Sequence, residues 1–132
     1  MKAYWILALS LLPLSACKHE PVNRKEADKI AINYAKHNAP DKNDYRLYYY
    51  DFHDTNPIQF WDWSKENSIV AYDAFVYFLD EHYHANWAHP CRYIVIQKQN
   101  GKYTIYHWRT PPRIEDGQPA PQRIQIYPKK NN

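Results

Sequence analysis

Glycine is scarce in this chain of 132 residues, which contains only Gly101 and Gly117. A Walker A phosphate-binding loop needs two glycines with four residues between them, and a dinucleotide-binding fingerprint needs three glycines. The sequence therefore excludes both of these nucleotide-binding motifs. The chain also has no large excess of charge of one sign, since 17 basic and 14 acidic residues give a net charge of only +3. A charge this small makes a weak electrostatic case for nucleic acid, so we expect neither nucleotides nor nucleic acids as partners.

No apolar run in the sequence is long enough for a transmembrane helix. The longest, Ala3 to Leu14, has about 12 residues, whereas a helix that crosses the bilayer core needs roughly 20. It follows Met1 and the positively charged Lys2, and small residues come directly after it. A positive start, a short apolar run and small residues are typical of a secretory signal peptide.

The small residues belong to the tetrapeptide Leu14-Ser15-Ala16-Cys17, which resembles the lipobox of bacterial lipoproteins. The resemblance covers residues 1–17 alone. It implies cleavage after Ala16, diacylglycerol on the sulfur of Cys17 and, in many Gram-negative members, acylation of the new amino terminus. Such an anchor is strong, because each buried methylene contributes about 0.8 kcal/mol and two or three chains hold nearly permanently. The alternative is an ordinary secretory signal followed by a chance cysteine.

The residue after the lipobox cysteine indicates the membrane to which a bacterial lipoprotein is sorted. In enteric bacteria an aspartate there favours retention in the inner membrane, whereas this chain has Lys18. The resemblance therefore implies an outer-membrane lipoprotein that faces the periplasm, with the inner membrane and the cell surface as alternatives. Lipidation of Cys17 would leave Cys91 as the only thiol of the mature chain, so no intramolecular disulfide is expected.

After the signal peptide (1–16), we expect a lipidated tether (17–22), a single domain (23–128) and a disordered basic tail (129–132). The domain begins with a predicted helix. Its apolar residues recur at helical spacing, Asn23 and Glu26 form a capping-box pattern, and Pro40 ends the helix. The apolar face consists of Ala27, Ile30, Ala31, Tyr34 and Ala35.

Strands are predicted over 45–52 and 123–127, where aromatic or alternating segments lie between turn residues. The alternating segment 58–63 is predicted to be a further strand, with an extended loop as the alternative. The strongest local pattern is a hairpin over 92–108, with Asn100-Gly101 as a two-residue type I′ turn. That turn pairs Ile96 with Ile105 and Val95 with Tyr106.

The segment 68–83 is ambiguous. Its apolar residues repeat at spacings of three and four, which favours a helix, although many of its residue types prefer strands. We predict a helix here, with a strand as the alternative. The order of elements then predicts an α+β fold in which one or two helices pack on an antiparallel sheet of about four strands.

Histidine and cysteine cluster in one short segment that contains His82, His84, His89 and Cys91. Imidazole and thiolate are ligands for zinc or copper, so a metal-binding or redox role is one hypothesis. The spacing differs from the common zinc patterns, and His82 and His84 would lie on different sides of a helix. The alternative is surface histidines at a helix end beside a buried cysteine, and we expect no resident cofactor.

Aromatic residues make up 17% of the chain, more than one face of a small sheet can bury. Side chains alternate between the two faces of a strand, so some rings are exposed unless both faces are covered. Exposed tryptophan and tyrosine are typical of protein interfaces and of sugar-binding surfaces. The candidate binding residues are Tyr48, Tyr50, Trp61, Trp63, Trp87 and Trp108.

Residue patterns typical of catalytic sites are weak throughout the sequence. Cys91 with His89 or His107 would be a plausible nucleophile and base, but a cysteine at the start of an apolar strand is more typical of a core residue. Neither Ser64 nor Ser68 has the context of a serine hydrolase, and no spacing singles out a carboxylate pair for glycoside chemistry. We therefore predict a non-enzymatic lipoprotein that binds a protein partner, with a metal-binding protein or a peptidoglycan or sugar binder as alternatives.

Overall fold

The structure, a computed structural model, describes residues 20–113 and 120–129. The predicted signal peptide, Ala16, Cys17 and most of the predicted tail lie outside these residues. The described chain contains one helix and seven strands, in the order α1 (Arg24–Asn38), β1 (Arg46–Asp51), β2 (Ile58–Trp61), β3 (Ser68–Ala71), β4 (Ala74–Asp80), β5 (Cys91–Gln97), β6 (Tyr103–Trp108) and β7 (Gln122–Tyr127).

Helix α1 begins and ends where the sequence predicts. The Asn23 side chain accepts from the Glu26 N–H at 3.0 Å, and the Glu26 carboxylate accepts from the Asn23 N–H at 2.8 Å. This reciprocal pair satisfies two N–H groups that have no partner within the helix. The helix ends at Asn38, just before Pro40, which cannot continue it. Both predicted boundaries are confirmed.

Five strands form one antiparallel sheet in the order β6-β5-β4-β1-β7, and β2 pairs with β3 in a separate two-stranded sheet. The last strand, β7, lies at an edge and is flanked by Pro121 and Pro128. The α+β class is therefore confirmed, with one helix and with five strands in the main sheet rather than about four.

The predicted helix over 68–83 is wrong, because this segment forms β3 and β4. Asp73, at φ 45°, lies in the turn that separates the two strands, a conformation that no helix contains. β4 lies in the middle of the sheet and buries residues on both of its faces, as the run from Val76 to Leu79 shows. A strand buried on both faces has a nearly continuous apolar sequence, which also satisfies the spacing of a helix.

The predicted hairpin of β5 and β6 is confirmed, but its turn and its register are not. The loop has four residues rather than two, since the Gln97 N–H donates to the Lys102 carbonyl at 2.8 Å. Only Gly101 has positive φ there, whereas a type I′ turn needs it at both central residues. Ile96 consequently pairs with Tyr103, and Ile94 pairs with Ile105. Because the shift is two residues, each side chain keeps its predicted face.

Both faces of the main sheet are covered. Helix α1 covers one face, where its alanines pack against residues such as Tyr77 and Ile94. The β2–β3 hairpin covers the other face, where Phe60 packs against residues such as Phe78 and Tyr93. The buried aromatic rings are therefore divided between the two faces: Tyr48 and Tyr93 pack between the two sheets, whereas Tyr45 and Tyr77 pack on the helix face.

Candidate binding cleft

Two of the six predicted binding residues are core residues. Tyr48 and Tyr50 are buried between the main sheet and the β2–β3 hairpin. Burial raises the pKa of both phenols, that of Tyr50 to about 12. The expectation that these two rings form an exposed surface is wrong, because the hairpin covers the face of the sheet to which they point.

Trp61 and Trp108 are half-buried. The Trp108 ring lies 5.0 Å from the Tyr93 ring and 5.7 Å from the Phe60 ring, edge-on to both. Such pairs stabilise a core beyond the area that they bury. We therefore assign Trp108 to the aromatic core rather than to a binding surface.

The other two tryptophans are exposed and line the same pocket. Trp63 is 61% exposed and Trp87 is 73% exposed. Both contribute to a predominantly apolar pocket of about 430 Å³ at one end of the main sheet, here called the Trp63–Trp87 cleft. Its walls also contain Asp80, His89, Cys91, Arg109, Thr110 and Arg123.

The loop that carries Trp63 is organised by one carboxylate. Asp62 accepts from the Ser64 hydroxyl at 2.7 Å and from the Asn67 side-chain amide at 2.6 Å. These hydrogen bonds hold the pKa of Asp62 below its usual range. The adjacent Trp61 exchanges two backbone hydrogen bonds with Arg113, at 2.8 and 3.0 Å. Trp63 is therefore exposed on a loop whose base is fixed.

The loop over 81–90, which carries Trp87, is anchored at both ends. At its start, the buried Glu81 carboxylate lies 2.6 Å from Nε of Arg92 in β5. Further along, the Nδ1 atom of His84 lies 2.5 Å from the Asp44 carboxylate. This hydrogen bond is the main reason that the pKa of Asp44 is lowered.

His89 fixes the far end of the same loop. Its Nε2 lies 2.7 Å from the Asp80 carboxylate and its Nδ1 lies 2.7 Å from the Trp87 carbonyl. Both partners are acceptors, so both bonds form only when the ring is a doubly protonated imidazolium. Burial opposes protonation, but the Trp87 carbonyl and the Asp80 carboxylate outweigh it and raise the pKa of His89. His89 therefore connects the Trp87 loop to the end of β4.

The electrostatics of the cleft follow from this pairing. Asp80, a carboxylate in the cleft wall, is already bonded to His89. Arg109 and Arg123 are both exposed and line the same pocket. Among the described residues, Arg109 donates one long bond, 3.4 Å to the Ala88 carbonyl, and Arg123 lies 4.7 Å from the centre of the Tyr48 ring. The cleft thus combines two indoles with two guanidinium groups that can reach a ligand.

Three of the predicted metal-binding residues, His82, His84 and His89, line one pocket, and Cys91 does not. The rings of His82 and His89 lie 6.0 Å apart, His84 is bonded to Asp44, and the sulfur of Cys91 contacts the Thr110 carbonyl at 3.6 Å. Burial raises the pKa of Cys91 to about 12, which disfavours the thiolate that binds metals or attacks substrates. Among residues 20–113 and 120–129, no group of three metal-ligating side chains was found.

Sequence reasoning missed several residues of the cleft. Arg109 follows β6 and Arg123 lies within β7, and no local spacing relates them to Trp63 or Trp87. What the sequence offered was the pairing of tryptophan with nearby arginine, a composition typical of interface hot spots.

Comparison with known proteins found no family model, no curated protein and no solved structure that matches this chain. The helix of the described residues is too short and too polar to span a bilayer.

Proposed function

We propose that this chain is a periplasmic lipoprotein, anchored to the outer membrane through Cys17, that binds a protein partner without catalysing a reaction. The observation that carries the binding role is the Trp63–Trp87 cleft, where two exposed indoles stand in one predominantly apolar pocket. Tryptophan and arginine are the residues most enriched in interface hot spots.

The fixed loops of the cleft support binding through a surface that is formed before the partner arrives. Hydrogen bonds of Asp62, His84 and His89 fix the loops that present the two indoles. A binding surface that is ordered before contact loses less entropy on association. An envelope accessory protein, an inhibitor and an immunity protein are all compatible with such a module.

The binding role is tested by capture of the partner with matched variants. We expect Trp63→Ala and Trp87→Ala each to weaken capture, since loss of a hot-spot residue costs about 2 kcal/mol or more. Tyr72→Ala is the control, because Tyr72 is 65% exposed and lies outside the cleft. Equal capture by all three variants would contradict the proposed site, and no specific partner under any growth condition would contradict the binding role.

The anchor is tested separately. We expect the wild-type chain to incorporate labelled palmitate and to partition into detergent, and Cys17→Ala to abolish both. Cys91→Ala is the control, because the Cys91 side chain is buried in the folded part of the chain. Label on the Cys17 variant, or a wild-type chain free of lipid, would contradict the anchor while leaving the cleft hypothesis intact.

A sugar or peptidoglycan ligand is the second candidate. Exposed indoles beside charged side chains are also suited to stacking on sugar rings, and the Trp63–Trp87 cleft offers both. Sedimentation with purified peptidoglycan distinguishes the candidates: retention that depends on both tryptophans favours the sugar, and its absence favours a protein ligand.

A further inference from the structure

The two edges of the main sheet differ in how they are protected. At one edge, Pro121 and Pro128 flank β7, its pairing with β1 contains a register shift, and the Gln125 side chain donates to the Pro128 carbonyl at 2.7 Å. Prolines and bulges are devices that stop further strands from adding to an edge. β6 at the opposite edge contains no proline, and its register with β5 runs unbroken from Tyr103 to Trp108.

The hydrogen-bond pattern identifies the exposed backbone groups of β6. The Gln97 N–H donates to the Lys102 carbonyl, so the backbone groups of Lys102 point toward β5. Backbone groups alternate in direction along an antiparallel pair, so the N–H and C=O groups of Thr104 and Tyr106 also point toward β5. The N–H and C=O groups of Tyr103, Ile105 and His107 therefore point away from the sheet. We call these groups the β6 edge. Within the described parts of the chain, no backbone or side-chain hydrogen bond to them was found.

The surroundings of the β6 edge are open and basic. Tyr103 is 48% exposed, and Thr104 and His107 are exposed as well. The sequence from His82 to Arg113 contains no acidic residue. Of its basic residues, Lys102 and Arg109 flank β6 directly, whereas Arg92 is paired with the buried Glu81.

From these observations we infer that the β6 edge is a second binding surface, which takes an extended acidic segment of another protein as an added antiparallel strand. Main-chain hydrogen bonds hold the strand in this mode of recognition, and side chains select it. Lys102 and Arg109 lie at the two ends of β6 and are exposed, so carboxylates near both ends of the ligand would face opposite charges.

The same charges disfavour a second copy of this chain as the occupant. Two β6 strands that pair antiparallel through Tyr103, Ile105 and His107 would place Ile105 opposite Ile105, so Lys102 of each copy and Arg109 of the other would lie at the same end of the pair. Charges of one sign that gather at both ends oppose this pairing. The inference concerns a surface distinct from the proposed role of the two indoles, and either can fail without the other.

Amide hydrogen exchange, measured by NMR on the full chain in detergent micelles, tests the inference. The probe is a blocked peptide of about seven residues, matched to the length of β6, with alternating valine and threonine and a glutamate at each end. We expect the amides of Tyr103, Ile105 and His107 to exchange rapidly in the free protein and about tenfold more slowly with the probe. The amides of Thr104 and Tyr106 serve as internal controls, since they are protected in both states.

The charge requirement is tested with the same peptide carrying glutamine in place of glutamate, and with a variant pair. We expect Lys102→Glu to lower the affinity for the acidic peptide about fivefold, as for an exposed ion pair. Lys29→Glu makes the same charge change on the exposed side of α1 and should leave the affinity unchanged.

Three results would overturn the inference. The first is rapid exchange of the three amides at saturating peptide. The second is protection without peptide that increases with protein concentration, which would make a second copy the occupant. The third is peptide-induced change at Trp63 and Trp87 with none at β6, which would assign the peptide to the cleft instead.

Discussion

The two faces of the main sheet are covered in opposite ways. On one face, Ala27, Ala31 and Ala35 of α1 are fully buried, so the helix backbone approaches the sheet closely. On the other face, Phe60 of the β2–β3 hairpin lies 5.1 Å from the Tyr93 ring and stacks on Phe52 at 5.6 Å. Small residues fill the first interface, and large rings fill the second.

This difference determines which substitutions each face of the sheet tolerates. An interface to which the helix contributes alanines has little side-chain volume to lose, and it has little room for a larger side chain. An interface built on aromatic rings loses many contacts when one ring is removed, and the cavity that remains adds to the cost. The same sheet is therefore expected to be sensitive to added volume on one face and to lost volume on the other.

The largest effect is expected on the aromatic face. Phe60→Ala removes a fully buried ring and should lower the free energy of unfolding by about 3–5 kcal/mol, measured by chemical denaturation. Trp87→Ala is the control, since its exposed ring contributes to no core and its loss should change stability by less than about 0.5 kcal/mol. Similar losses for both variants would show that the hairpin does not seal this face.

A smaller effect is expected on the helix face. Ala31→Leu inserts volume where α1 meets the sheet and should lower the free energy of unfolding by about 1–3 kcal/mol. Lys29→Leu places the same side chain on the exposed side of the helix, where it should be nearly neutral. If Ala31→Leu were neutral as well, the close approach of helix and sheet would not depend on alanine.

The smallest effect concerns the end of the sheet that forms the cleft, where the His89–Asp80 pair holds the Trp87 loop. The pKa of His89 is raised in the folded protein above its ordinary value of 6.5. Its stabilising contribution is therefore complete below pH 6.5 and is lost as the pH rises through the folded-state pKa. We expect His89→Gln to remove this part of the pH dependence in denaturation measured from about pH 6 to about pH 8. His107→Gln, at an exposed histidine, should retain it.

Sequence reasoning succeeded where a residue pattern had a single structural interpretation. The alanine stripe and the Asn23–Glu26 box predict α1, because helical spacing and capping are both local. It failed at β4, where burial on both faces removes the alternation that identifies a strand. The turn at Asp73, which separates β3 from β4, contains no glycine or proline, the residues that usually indicate a turn.

The candidate site was predictable only in part. Trp63 and Trp87 were named from their residue type, but so were Tyr48 and Tyr50, because composition does not say which rings a distant hairpin covers. The two arginines of the cleft lie after β6 and within β7, far along the chain from Trp63. Residues so far apart in sequence meet only through the order of strands in the sheet, which no local pattern encodes.

The neighbouring positions of β1 and β7 in the sheet also govern when the protein can finish folding. The first strand to be synthesised pairs with the last, so that side of β1 has no partner until the C-terminal segment arrives. Contacts between distant parts of a chain form slowly, because a long loop must close first. A chain that emerges from a ribosome therefore completes its main sheet only after β7 has been released.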